Sequence, residues 1–183
     1  MLEKVVMGFP GIMKVFGAVF LMLLVVGVPV RGIQREVDSL SKKTTGYDGF
    51  IDQLITDGAG NIDRACIIPR DGGSLLSSSD HPHALHMTVE ERLEIAEALR
   101  DNSWSSIETE GLFVEGQKYI FLGVDEDGIF KGLKIGPGGG GVIGEPSNAA
   151  IVVVHTSSSS FFTMVQVNIV LGQVVEAMKS QGL

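Results

Sequence analysis

Cysteine is almost missing from this chain. Cys66 is the only one in 183 residues, so no internal disulfide can form and a reducing compartment suits the protein. It sits in an apolar run, Ala65-Cys66-Ile67-Ile68, without a neighbouring base, which fits a buried structural thiol rather than a nucleophile. Aromatics make up only 7%. The single tryptophan, Trp104, lies in a Ser-rich connector and reads as a packing residue, not a binding platform. Basic residues are scarce as well: residues 47–183 hold eight Lys and Arg against nineteen Asp and Glu, a net of −11 within a chain of −8. A surface of that sign repels nucleic acid and anionic headgroups, so no nucleic-acid partner is expected. No Ser-His-Asp, Cys-His or paired-carboxylate arrangement is legible, so the sequence gives an enzyme no support. The run from Gly136 to Gly141 lacks the Lys-Ser/Thr and helix start of a phosphate cradle and reads as an inter-strand turn, with no cofactor implied. His81, His83 and His86 cluster in one loop. Neither a cysteine nor a carboxylate pattern completes a four-ligand set there, so a solvated loop without metal is expected.

One long apolar run is present. Val15 to Val30 carries no charge and is preceded by Lys4 and Lys14 and followed by Arg31. Its length falls short of the roughly 20 residues a helical span needs and slightly exceeds a signal core of about 7 to 15. If Lys14 snorkels, the run extends back to Val5 and a span becomes possible. Three readings of residues 1–32 stand: a cleaved signal peptide, a signal anchor, or a leader added by misreading the gene. The last requires an alternative first exon, since no Met occurs between Met22 and Met87. Membrane contact is expected only through residues 5–30. Residues 33–46 are polar and mixed in charge and read as a linker or a frayed helical lead-in.

The remainder, residues 47–183, reads as one domain. Tyr47, Phe50, Ile51 and Leu54 fall at i, i+3, i+4 and i+7, one apolar helix face that glycines 58 and 60 terminate. Arg64–Ile68 and Ser74–Ser77 read as a hairpin about Pro69–Gly73. Thr88 and Glu91 form a capping box that opens a helix through Arg100, with Leu93, Ala96 and Leu99 inward. Gly111–Lys134 then reads as three consecutive antiparallel strands at the sheet centre. Leu112–Val114 and Lys118–Val124 join through Glu115-Gly116, and Ile129–Leu133 follows the acidic turn Asp125–Gly128. Ala149–His155 is a buried strand, and Thr163–Ser180 a long helix striped by Val167, Val170, Leu171, Val174, Val175 and Met178.

The segment Gly111-Leu112-Phe113 to Lys118-Tyr119, followed by Lys131-Gly132-Leu133-Lys134 and the glycines 138–141, resembles the centre of profilins, small actin-monomer-binding proteins. The resemblance extends from Tyr47 in YDGFIDQL, through Ala65–Gly73, to the terminal SQGL. It implies an α+β fold: a central antiparallel sheet with the N- and C-terminal helices packed on one face and smaller helices on the other. It also implies a cytoplasmic, cytoskeletal protein that binds monomeric actin and regulates its polymerisation. Lys118, Lys131 and Lys134 fall on basic family positions, Gln166 and Asn168 on the polar helix-start motif, and Thr163 on a plant-like variant of it; these six are the implied actin contacts. The family's second ligand, a proline-rich segment, is gripped by aromatics. Tyr47 and Phe50 keep that character, whereas Leu75 stands where tryptophan is expected, Ala177 where His or Tyr is expected, and Leu183 at a terminal position that is Tyr or Leu. Proline binding is therefore expected to be weak or absent. The acidic domain and Leu133 inside the basic cluster argue against phosphoinositide binding. The alternative implied by residues 1–32 is a membrane-tethered or secreted module of this fold that does not bind actin.

Overall fold

A computed structural model of the chain describes residues 46–134, 136 and 139–183. The apolar leader and nearly all of the linker lie outside the described residues. Helix α1 spans 46–57 and buries Tyr47, Phe50, Ile51 and Leu54, the face read from their spacing. It stops at Gly58, whose amide returns to the Leu54 carbonyl at 2.9 Å. Strand β1 is Ile62–Pro69, α2 is Val89–Asp101 and α3 is Ser105–Glu110. A run of strands follows, β2 (Leu112–Val114), β3 (Gln117–Val124), β4 (Phe130–Leu133), β5 (Gly141–Pro146) and β6 (Ala150–Thr156). Helix α4, Phe161–Ser180, closes the domain, with Ser160 capping the Thr163 amide.

The strands form one antiparallel sheet in the order β1-β6-β5-β4-β3-β2. The β2-β3-β4 meander is thus an end of the sheet and not its centre; β5, β6 and β1 extend it on one side only. Both faces of the β1–β6–β5 half are covered, so these strands read as nearly unbroken apolar runs. Alternation sorts their side chains. Ala65, Ile67, Ile143, Val152 and Val154 pack with Tyr47, Phe50, Ile51 and Leu54 of α1 and with Val167, Leu171, Val174, Val175 and Met178 of α4. Cys66, Ile68, Val142, Ile151 and Val153 pack on the opposite face with Ile95, Ala96, Ala98, Trp104 and Ile107. There the Trp104 ring stacks on Phe121 at 5.1 Å and tilts against Phe130. A Cβ at Gly144 would collide with the Phe130 ring, which explains a glycine in the middle of β5.

Two local expectations are corrected. Ser74–Ser77 does not pair as a strand: the ladder partner of β1 is β6, and the 74–77 segment meets β1 at Ile67 alone, through the Leu76 and Ser77 amides on its carbonyl and Ser77 Oγ on its amide. Helix α2 keeps the predicted capping box, but Leu93 is exposed; Arg92 turns inward instead, donating to the carbonyls of Gly73 and Met87.

Candidate partner-binding face

Helix α4 lies across β5 and β6 and leaves the same face of β3 and β4 uncovered. On β3, Lys118, Ile120 and Leu122 alternate outward while Tyr119 points into the core. A bulge between Phe121 and Gly123 makes Leu122 the extra residue, and Gly123 takes the positive φ. Leu133 pairs with Ile120 in the ladder. Where this open sheet meets the start of α4 there is a groove of about 350 Å³, lined by Leu122, Lys131, Leu133, Met164, Asn168 and Ile169 among others. Its margins are unusually apolar: Ile120 is 52% exposed, Leu122 56%, Ile169 57% and Phe161 84%.

The polar groups of this face are few. Lys118 and Lys131 take part in no ion pair among the described residues. Lys134 donates to Gln117 Oε1 at 2.8 Å. Asn168 presents a buried Oδ1 that accepts no hydrogen bond among the described residues. Of the six implied actin residues, Lys131 and Asn168 line the groove together; Lys118 shares the outward side of β3 with Ile120 and Leu122, whereas Lys134 alternates to the other side from Leu133 and is bonded to Gln117. The other two lie elsewhere. Thr163 is buried at 6% exposure, its hydroxyl bonded to Ser160 Oγ at 2.8 Å in the helix cap. Gln166 accepts from Asn61 at 3.1 Å and lines a second groove with Asp57, Ala59 and Ile169.

Ile120, Leu122, Phe161, Val165 and Ile169 were not singled out from the sequence. Their signal was present: β3 is apolar on both faces, and two phenylalanines precede the expected helix start at Thr163. The helix in fact begins at Phe161.

The residues implied for the proline-rich ligand divide between the two cores. Tyr47 and Phe50 belong to the cluster beneath the terminal helices, with ring centroids 6.4 Å apart, and burial pushes the Tyr47 phenol upward. Leu183 packs against that cluster too, and Ala177 is half-buried on α4. Leu75 is misplaced in the sequence reading. It packs on the opposite core with α2, and its neighbour Leu76 is the residue that reaches the terminal-helix cluster. The histidine loop is engaged locally: His81 Nε2 meets Asp52 at 3.1 Å while its Nδ1 accepts the His83 amide. Cys66 is 1% exposed, and burial pushes its thiol far up, away from thiolate chemistry.

A single antiparallel sheet, terminal helices on one face and a shallow apolar groove at the last helix define a protein-binding module of small α+β type. The Profilin family model matches residues 45–183. Profilin of the sea urchin Strongylocentrotus purpuratus is 31% identical over 116 residues, covering 60% of this chain and 80% of that protein. Profilin of the sponge Suberites domuncula is 30% identical over 114 residues with the same coverage. Among solved structures, Acanthamoeba castellanii profilin Ia superposes with a TM-score of 0.59 at 20% identity, over 75% of this chain and 99% of that one. Mouse profilin IIa, solved in complex with a double repeat from the FH1 domain of mDia1, gives 0.58 at 15% identity with the same coverage. The chain belongs to the profilin family. It is therefore a divergent member of a non-enzymatic, cytoplasmic, cytoskeleton-associated family that binds actin and regulates its polymerisation.

Proposed function

We propose that this chain binds actin monomers stoichiometrically through the face where Leu122, Lys131 and Leu133 meet the first turns of α4. Family membership supports the partner. The observation that carries the choice of face is the groove itself: large apolar side chains ring it in the open, and contiguous exposed apolar surface of this kind marks a binding site. Asn168 lines its wall and supplies a polar side-chain amide there. Lys118 and Lys131 serve as the charged rim, steering encounter toward carboxylates, while the apolar centre supplies most of the affinity. Gln166 is a peripheral contact in this reading, and Thr163 supports the helix start.

Proline-rich ligands bind weakly, because aliphatic side chains replace stacking surfaces at Leu76, Ala177 and Leu183. Phosphoinositide recognition is weak for the same electrostatic reason given by the domain charge. The apolar run Val15 to Val30 favours one second reading, a tethered or secreted module of this fold without actin affinity.

Titration of the full-length protein into actin monomers, with pyrene-actin polymerisation as readout, tests the assignment. Wild type should slow polymerisation in proportion to its concentration. Ile169→Asp should weaken binding by roughly tenfold or more, the scale of one buried aliphatic side chain. Lys131→Glu should act mainly on association and lose its effect as salt rises. Failure of wild type to bind at low salt, with the protein recovered in the membrane or secreted fraction, would favour the tethered module.

A further inference from the structure

We propose that the docking of α4 onto the sheet is proton-coupled: Glu145 of β5 is a buried carboxyl whose Oε2 faces α4 without a hydrogen-bond partner, and its ionisation loosens the helix that walls the groove. The inference stands independently of what the groove binds.

Alternation along β5 turns Gly141, Ile143 and Glu145 toward α1 and α4, where Ile143 joins the core cluster. Glu145 is 6% exposed, and its Oε2 has no hydrogen-bond partner among the described residues. That oxygen lies 3.7 Å from where a Cβ on Gly172 would stand. A Cβ there would make only ordinary contact, so the distance serves to place the carboxyl against the middle of α4.

The charged groups around the site do not compensate an anion there. From α4, Lys179 is the one cation near Glu145, and it already donates to Glu176 Oε1 at 2.7 Å. Glu176 on the same helix is itself negative. From the β3–β4 turn, Asp125 and Asp127 add two more carboxylates. Asp125 Oδ1 is occupied by the amides of Asp127 and Ile129, so it offers Glu145 nothing. β6 contributes Val152 opposite Glu145, which is apolar. Burial is the largest influence and raises the Glu145 carboxyl; Lys179 works against it, and Glu176, Asp125 and Asp127 reinforce it. Burial without a partner disfavours the charged form of a carboxyl relative to water.

The direction of linkage follows. A carboxyl raised in the folded state binds its proton more tightly folded than unfolded. Its stabilising contribution is complete below the ordinary value of 4.5 and is lost as pH rises through the folded value. Within that window the folding constant falls by up to about tenfold per pH unit.

Native-state hydrogen exchange on the full chain, followed in peptides from 161–180 between about pH 4.5 and about pH 8, provides the test. The readout is the protection of wild type divided by that of Glu145→Gln at each pH, which cancels the intrinsic rate of exchange. The ratio should fall as pH rises, by at most about tenfold per unit within the window, and Lys179→Met should carry the fall to higher pH. Should the buried amide of Glu145→Gln prevent folding, Glu145→Val supplies the same pH-independent reference. A ratio that stays flat, or that rises with pH as an ion-paired carboxylate requires, overturns the proposal.

Discussion

Glu91 ties the start of α2 to the turn between β2 and β3. Its Oε2 closes the capping box on the Thr88 amide at 2.8 Å and also accepts the Glu115 amide at 3.1 Å, while Oε1 accepts Gly116 at 2.7 Å. Glu115 sits at φ 54, a strained position for a side chain, and is held there from two directions. Its own carboxylate accepts the His86 amide at 2.7 Å and pairs with Arg64. The capping box was legible because it is a local spacing rule. The tie from α2 to the β2–β3 turn was not, since nothing in the sequence around Glu91 or Gly116 encodes a contact across twenty-five positions. The two roles separate experimentally in urea denaturation. Thr88→Ala should cost about 1 kcal/mol, the scale of a lost cap, whereas Glu91→Ala should cost about 2 to 3 kcal/mol because a charged acceptor leaves three amides at once. Equal losses would mean that the turn contributes nothing through Glu91.

Elements were legible to the extent that their partners were near in sequence. The α1 stripe, the meander and the β6 run all announce themselves through period and turn chemistry. The partner of β1 did not, because it arrives about eighty residues later as β6, and the adjacent Ser74–Ser77 segment offered itself as a local substitute. Helix α2 was found but rotated: apolar residues recur around it, and the burial of Arg92 against two loop carbonyls decides which of them face inward. The same kind of slip, by one position, separates Leu75 from Leu76, since consecutive residues in an extended segment point to opposite cores. That slip is open to measurement. With Ala177→Tyr as common background, Leu76→Trp should strengthen binding of a proline decamer by about 0.5 to 1.5 kcal/mol for each ring that stacks. Leu75→Trp should instead overfill the α2 core and lower stability by about 1 to 3 kcal/mol without gaining affinity.

At the scale of the molecule, residues 47–183 supply all the described members of both core clusters. Expressed without the preceding residues, that fragment should unfold on heating in one cooperative transition coincident by fluorescence and circular dichroism; a broad, non-cooperative loss would refute the boundary. Helix α4 shows why composition alone misleads about the whole. It is long and apolar enough to pass for a membrane span, yet Val167, Leu171, Val174, Val175 and Met178 are buried inside the protein. The two borders of the sheet carry a last consequence. Along β1, the outer hydrogen bonds are taken by Ser77, by the His83 carbonyl and by the Leu85 amide; at the other border, β2 is three residues long and ends in the turn held by Glu91. A long bare strand edge invites cross-β stacking between copies, and these borders offer little purchase for it. Copies of the domain are thereby kept from joining strand to strand into fibres.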